Sequence, residues 1–220
     1  MKPFHYALFD VDGTLIDSMR YWESAAKEFL EKNGKNTCVT AEMHEKLHSM
    51  SPVEGVIYLA EICGREVKPE EFVVMLDRHY RHDVSLRPGV RESLLLMKEN
   101  GVHMAVLSAS FEEPLRRLFG RLGIDGMFEF IMTAESYPQG NSDKTMFLDA
   151  CRRLEASPEE IVLFEDAYYS IATAKSLGMR IVGIEDSSEK EKNAVMEASE
   201  LYFQDGIWKP SILPFSQSVK

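Results

Sequence analysis

Short apolar segments recur along most of this chain, and stretches with the periodicity of α-helices separate them. After residue 102, a helical pattern of about a dozen residues lies between each segment and the next. The apolar segments are 6–9, 102–107, 130–133, 161–164 and 180–184, and residues 201–203 would add a short final edge strand. Strands that alternate with helices form parallel sheets, because the helix returns the chain to the start of the next strand. The sequence therefore predicts an α/β fold built on a parallel sheet.

One long stretch, residues 17–86, interrupts this alternation. It contains no convincing strand, and its apolar residues recur at helical spacing, as between Trp22 and Leu30. Pro69 is typical of a helix start. We predict a helical insertion at 17–86 in a core formed by residues 1–16 and 87–220. The alternative is that these helices pack on the sheet as part of a single domain.

Two aspartates follow the first apolar segment. Tyr6–Phe9 suits a buried strand, and Asp10-Val11-Asp12-Gly13 comes directly after it. If the strand ends near Asp10, the turn that Gly13 permits can bring both carboxyls around one small volume. Two acids that close favour a shared proton or a divalent cation. The alternative is an ordinary turn at Asp12-Gly13 with Asp10 as a solvated strand end.

The stretch Asp10–Ser18 resembles the first motif of the haloacid dehalogenase superfamily in its phosphatase and phosphomutase form. The resemblance, to members of the β-phosphoglucomutase-like kind, covers nearly the whole chain and implies a Rossmann-like core with a helical cap domain at 17–86. It further implies hydrolysis of a small soluble phosphate monoester through an aspartyl phosphate, with Mg2+ as cofactor. Asp10 would be the nucleophile. Asp12 would be the acid and base, because one positioned carboxyl can serve both half-reactions.

A serine-containing turn ends the second core strand. Ser108-Ala109-Ser110 precedes a helical pattern, and a hydroxyl with free backbone N–H groups at a helix entrance can hold phosphate oxygens. Parallel strands place their carboxyl ends at one edge of the sheet, so this turn and Asp10 should converge. The resemblance assigns phosphate binding to Ser108 and the N–H of Ala109. The alternative is that Ser108 and Ser110 merely cap the next helix.

Two further acids, Glu165 and Asp166, end the apolar segment 161–164. They resemble the fourth motif of the superfamily, which implies that Asp166 is a metal ligand and that Glu165 is a ligand or an acid just behind the ligands. Mg2+ would then be held by Asp10, the backbone carbonyl of Asp12, and Asp166. The alternative is that Asp166 is a plain helix N-cap, and this role is compatible with the first.

The chain departs from the superfamily pattern at its lysine. Alignment of Phe147 and Leu148 with the pattern places Asn141 where a lysine is usual, and Lys144 follows three residues later. Three residues are about one helical turn, so the long stem of Lys144 can bring an ammonium to the same place. Asp143 should make Lys144 the first or second helical residue. We expect Lys144 to bind the phosphoryl group, and a solvated Lys144 is the alternative.

Composition limits the class of partner. A formal net charge of -11 over 220 residues argues against nucleic acid, and no apolar run is long enough to suggest a membrane partner. Three widely spaced cysteines without a CxxC pattern, and the lack of a secretory signal, favour a cytoplasmic protein. We expect a small phosphorylated metabolite as substrate and a monomer or weak homodimer.

Two other functions remain open. A phosphomutase would return the phosphoryl group from Asp10 to a sugar hydroxyl, and mutases that this chain resembles hold the second phosphate with a cap arginine. The matching stretch, Leu47–Pro52, has no arginine, which favours hydrolysis. A non-catalytic phosphate-binding module is supported only by the displaced lysine.

Overall fold

The computed structural model describes residues 1–35, 40–48, 52–64, 69–137 and 143–215. Six parallel strands form one sheet in the order β3-β2-β1-β4-β5-β6. The strands are β1 (Tyr6–Phe9), β2 (His103–Ser108), β3 (Ile131–Thr133), β4 (Ile161–Glu165), β5 (Arg180–Ile184) and β6 (Leu201–Phe203). The predicted α/β fold with a parallel sheet is confirmed.

Helices cover both faces of the sheet, which is why its central strands are apolar almost throughout. Ala7, Leu8 and Phe9 of β1 are fully buried, and so is nearly every residue of β4. A strand buried on both faces needs apolar side chains at consecutive positions rather than at alternate ones. β1 lies between β2 and β4, with Leu8 in register with Ala105 on one side and Leu163 on the other.

The described helices follow the order that the periodicity predicts. They are α1 (Met19–Lys32), α2 (Ala41–His48), α3 (Pro52–Cys63), α4 (Pro69–His82), α5 (Val90–Glu99), α6 (Glu112–Leu122), α7 (Lys144–Leu154), α8 (Tyr168–Ser176) and α9 (Lys192–Ala198). Helix α4 begins at the predicted proline. Among the residues described, no helix is long and apolar enough to cross a membrane.

Helices α1 to α4 occupy the stretch where the sequence predicts an insertion. Helix α1 packs on α3 and α4, and α4 also packs on the core helix α6. The chain leaves and returns at adjacent points, because Ile16 and Leu86 form an antiparallel bridge and the N–H of Arg87 donates to the carbonyl of Leu15 at 2.9 Å. The division into a core and a cap domain at these boundaries stays a prediction.

The carboxyl ends of β1, β2 and β4 lie side by side at one edge of the sheet. Asp10 follows β1, Ser108 ends β2 and Asp166 follows β4. These residues are far apart in the sequence, and the parallel arrangement of their strands is what brings them to the same edge.

Candidate active site

Three buried carboxyls meet at this edge. Asp10, Glu165 and Asp166 each offer an oxygen, and these oxygens all lie within 4.8 Å of one another. The N–H of Asp10 donates to the carbonyl of Phe164 at 3.0 Å, which ties the residue after β1 to the neighbouring strand β4. The structure thus brings together three acids that the sequence predicts as metal ligands.

The mutual approach of these acids changes their pKa values. Burial raises the pKa of Asp10 well above its ordinary value, and the charges of Glu165 and Asp166 raise it further. Burial also raises the pKa of Asp166, and that of Glu165 to about 7. A buried cluster of this kind retains protons or binds a cation, because repulsion among unpaired carboxylates destabilises it.

Hydrogen bonds orient the two acids that follow β4. Glu165 uses both oxygens: Oε1 accepts from the N–H groups of Asp166 and Ala167 at 3.0 and 3.1 Å, and Oε2 accepts from Ser170 Oγ at 2.6 Å. Asp166 accepts from Thr14 Oγ1 at 2.6 Å through Oδ1. Asp166 does not cap α8, whose N-cap is Ala167. A hard divalent cation fits this group of carboxylate oxygens.

The carboxyl of Asp12 is held apart from this cluster. Its Oδ1 accepts hydrogen bonds from Ser18 Oγ at 2.6 Å, from Trp22 Nε1 at 3.0 Å and from the hydroxyl of Tyr80. Its Oδ2 is buried and has no hydrogen-bond partner in the described part of the chain. Burial raises the pKa of Asp12, and these hydrogen bonds oppose the rise. The turn therefore separates the two aspartates, with Asp10 facing the acids and Asp12 facing α1 and α4.

The turn after β2 forms the third part of the site. Ser108 is fully buried, and its Oγ accepts from the N–H of Ser110 at 3.1 Å, with Ala109 between them. Helix α6 has Phe111 as its N-cap, without a side-chain hydrogen bond. Ser108 and Ser110 therefore do not cap that helix, and phosphate binding by Ser108 and Ala109 stays a prediction.

A comparison of the sequence with known families decides the class of protein. The profile of the haloacid dehalogenase-like hydrolases matches residues 7–184, which include all of the acids described above. The chain belongs to the haloacid dehalogenase-like hydrolase family. The resemblance predicted from the first motif is confirmed.

Relatives within this haloacid dehalogenase-like family align over most of their length. The chain is 27% identical over 196 residues to the phosphorylated carbohydrates phosphatase of Thermotoga maritima, covering 87% of this chain and 89% of that protein. It is 28% identical over 188 residues to the beta-phosphoglucomutase of Bacillus subtilis, covering 80% and 81%. The predicted enzyme class, a phosphoric monoester hydrolase of this family, is confirmed.

A solved structure shows the same fold. CbbY of Rhodobacter sphaeroides, crystallised with xylulose-(1,5)bisphosphate, superposes with a TM-score of 0.77 at 19% identity, over 91% of this chain and 94% of that one. At this identity the likeness supports the fold of the haloacid dehalogenase-like family and carries no further conclusion about the substrate.

Lys144 and Asn141 were the two candidates for the family's lysine position. Lys144 is the first residue of α7, and Asp143 caps the helix by accepting from the N–H of Thr145 at 2.8 Å, as the sequence predicts. The side chain of Lys144 is exposed, so its contact with a phosphoryl group stays a prediction. Asn141 lies outside the described residues.

Several residues that orient the acids were not predicted. Thr14 and Ser18 lie inside the first motif, Asp10–Ser18, and their hydroxyl groups are the signal that could have identified them as hydrogen-bond donors to the acids. Tyr80 is 68 residues from Asp12, and no local pattern distinguishes it from the other apolar positions of its helix. Only the packing of α4 against α1 and α6 reveals its contact with Asp12.

Gly13 permits the close approach of Asp166 to the first turn. Its φ is +92°, and a Cβ at this position would lie 2.7 Å from Cγ of Asp166. We expect Gly13→Ala to lower the free energy of unfolding by about 2–4 kcal/mol, because a left-handed backbone and an overlap with a buried side chain both destabilise the fold.

Gly101→Ala is the matched control, since Gly101 has a φ of +71° with nothing within 4 Å of the added Cβ. Chemical denaturation of both variants measures the difference. Equal destabilisation of the two variants would show that the approach of Asp166 does not require the glycine.

Proposed function

We propose that this chain is a Mg2+-dependent phosphatase that hydrolyses a small soluble phosphate monoester through an aspartyl phosphate on Asp10. The observation that supports this most strongly is the separation of the two first-turn aspartates. Asp10 lies in the cluster with Glu165 and Asp166, whereas Asp12 is held outside it by hydrogen bonds to Oδ1. One carboxyl is thus available as a nucleophile and the other as an acid and base.

The reaction needs two displacements at phosphorus. A carboxylate oxygen of Asp10 forms a bond to phosphorus, and the bond to the ester oxygen breaks with its electron pair staying on that oxygen. Asp12 gives its proton to the leaving oxygen. Asp12 then takes a proton from water as the water oxygen bonds to phosphorus, and the bond from phosphorus to the Asp10 oxygen breaks with its electron pair returning to the carboxylate. Inorganic phosphate leaves, and both residues are regenerated.

Asp10 and Asp166 would hold Mg2+, with the backbone carbonyl of Asp12 as a further ligand. Glu165 has both oxygens engaged in hydrogen bonds, so we assign it to the support of Asp166 and to the negative charge of the site. The bound ion would neutralise charge on the phosphate and reduce its repulsion from Asp10. In the protein itself, Thr14 keeps Asp166 in place through a 2.6 Å hydrogen bond.

The transferred phosphoryl group also needs hydrogen-bond donors. Ser108 and the N–H of Ala109 lie at the carboxyl end of β2, next to Asp10 at the end of β1. Donors fixed in this way stabilise the charge that spreads over phosphoryl oxygens in the transition state. Lys144 would add an ammonium from the start of α7.

Substitution of Lys144 tests directly whether this lysine binds the transferred phosphoryl group. If its ammonium reaches the phosphoryl group, Lys144→Ala should lower kcat/KM by about 30- to 1000-fold, corresponding to the loss of roughly 2–4 kcal/mol. Lys27→Ala is the control, because Lys27 is an exposed lysine paired with Glu31 on α1. A loss of less than about twofold would mean that Lys144 is only a surface charge. A large loss of kcat/KM in Asn141→Ala instead would assign phosphoryl binding to Asn141.

Phosphate transfer to a second hydroxyl is the competing function, supported by the likeness to the beta-phosphoglucomutase of Bacillus subtilis. The stretch Leu47–Pro52 has no arginine to hold a second phosphate, which favours water as the acceptor. The likeness to a phosphatase for phosphorylated carbohydrates supports sugar or polyol phosphates as the first substrates to test. A cytoplasmic location stays a prediction.

A panel of phosphorylated sugars, polyols and nucleotides, assayed with Mg2+, tests the proposal. Release of inorganic phosphate from at least one ester is expected, with no isomeric sugar phosphate formed. Conversion of a sugar phosphate to its isomer without phosphate release would establish the mutase. The absence of both reactions across the panel would refute the proposed function.

A further inference from the structure

Tyr80 connects the carboxyl of Asp12 to the turn that follows β2. It lies on α4, is fully buried, and donates its hydroxyl proton to Oδ1 of Asp12. Its oxygen also lies 3.2 Å from Oγ of Ser110. A phenol has a single proton, and here that proton points to Asp12, so in its contact with Ser110 the phenol oxygen can only accept. Tyr80 and Ser110 therefore both lie at the carboxyl of Asp12, with Tyr80 as a donor to its Oδ1.

The part of α4 that carries Tyr80 is anchored to the core. Arg121 of α6 donates through Nε to the carbonyl of Tyr80 at 2.8 Å, and through its second nitrogen to the carbonyl of Val84. One helical turn earlier on α6, Arg117 pairs with the buried Asp77 at 3.1 Å. Because the backbone of Tyr80 is tied to α6, its hydroxyl keeps a defined position relative to the sheet.

The two oxygens of Asp12 have different surroundings. Oδ1 accepts three hydrogen bonds, from Ser18, Trp22 and Tyr80. Its lone pairs are therefore engaged, and the proton of the protonated carboxyl belongs on Oδ2. Oδ2 is buried without a partner among the residues that the structure describes. Leaving a buried oxygen unpaired is costly, and such an atom calls for a functional explanation.

We propose that Tyr80 is a positioning residue that fixes Oδ1 of Asp12 as an acceptor, so that Oδ2 exchanges the proton with the leaving group. The inference rests on the proposed phosphatase function and adds a residue to it. In the first displacement, Oδ2 gives up its proton to the ester oxygen as the phosphorus–oxygen bond breaks. Tyr80 keeps its own proton throughout, so no additional reactant is needed.

A comparison of two aryl phosphates tests this role. Phenyl phosphate releases phenol, whose pKa is about 10 like that of tyrosine, so its departure depends on a proton from Asp12. The 4-nitrophenolate ion departs without a proton. The two esters differ little in size, and kcat/KM reports only the steps up to the first displacement.

Tyr80→Phe should therefore lower kcat/KM for phenyl phosphate much more than kcat/KM for 4-nitrophenyl phosphate. We expect kcat/KM for phenyl phosphate to fall by about 10- to 100-fold, and kcat/KM for 4-nitrophenyl phosphate to change by less than about threefold. Tyr21→Phe is the control on the same pair of helices, because its hydroxyl makes only a 3.4 Å bond to the carbonyl of Asp83. It should change neither value by more than about twofold.

Thermal unfolding of each variant separates a positioning role from a structural one. If Tyr80→Phe does not fold, Trp22→Phe removes another donor to the same Oδ1 and should show the same selectivity. An equal loss with both esters, or no loss with either, would overturn the assignment while leaving the phosphatase function intact. Failure of the unmodified protein to hydrolyse these two esters and every member of the panel in Mg2+ would refute the function and the inference together.

Discussion

Replacing Asp10 with asparagine is expected to lower phosphatase turnover by about four to six orders of magnitude, or roughly 5–8 kcal/mol of transition-state stabilisation. The amide keeps the shape of the side chain but cannot form the phosphoryl bond. Folding should survive, because burial and the neighbouring acids already disfavour a charge at this position. An uncharged group of the same size relieves that repulsion.

The measurement is steady-state turnover of a substrate from the panel, together with thermal unfolding of the variant. Asp125→Asn serves as the control, because Asp125 is an exposed aspartate in a short 3-10 turn away from the strand ends. Trapping of a phosphorylated protein after rapid acid quench should succeed with the unmodified chain and fail with the variant. Near-normal turnover by Asp10→Asn would exclude the covalent mechanism.

Removal of the metal is expected to abolish activity completely. Chelation with EDTA should stop hydrolysis and excess Mg2+ should restore it, because Asp10 and Asp166 are the carboxylate ligands we propose and a site with few protein ligands exchanges its ion readily. Ca2+ should inhibit, since its longer bonds and less rigid geometry misplace the phosphate. Undiminished activity in the chelator would refute the metal assignment.

The metal should also change how stability depends on pH. Without it, Glu165 has a pKa of about 7 in the folded protein against an ordinary value of 4.5. The folded state then binds more protons than the unfolded state between these values. The stability that this group contributes is therefore complete below about pH 4.5 and is lost as the pH rises through about 7. The raised pKa values of Asp10 and Asp166 act in the same direction.

Mg2+ opposes this loss because it binds the ionised carboxylates. At about 100 times its dissociation constant, the ion should stabilise the fold by about 2.7 kcal/mol. The stabilisation should be larger at pH 8 than at pH 5, where protons compete for the same oxygens. Denaturant unfolding in EDTA and in Mg2+ at the two pH values measures the difference. Equal stability with and without Mg2+ at pH 8 would show that the acids do not form the site.

Local patterns in the sequence were sufficient for the strands and for the starts of α4 and α7. The segment 180–184 coincides with β5, and the segment 102–107 differs from β2 by a single residue at each end. Pro69 begins α4, and Asp143 caps α7 at Lys144. These features depend on runs of apolar residues, on the fixed φ of proline and on capping, all of which can be read within a few residues along the chain.

The convergence of the acids was also predictable, because it follows from topology. Once β1, β2 and β4 are parallel neighbours, the residues at their carboxyl ends must meet at one edge. The spacing of Asp10 and Asp12 within one motif indicated the chemistry. It did not indicate that the two carboxyls would face different surroundings.

By itself, the sequence determined that this chain forms a parallel α/β sheet with acids at its carboxyl edge, since periodicity and motif order suffice for that. Only the tertiary structure decided how those acids are held. Tyr80 reaches Asp12 across 68 residues, and Gly13 admits the carboxyl of Asp166 from more than 150 residues away. Such contacts depend on the packing of α4 against α6 and of β1 against β4. The free energy of that packing is shared among many side chains, so no single local pattern encodes it.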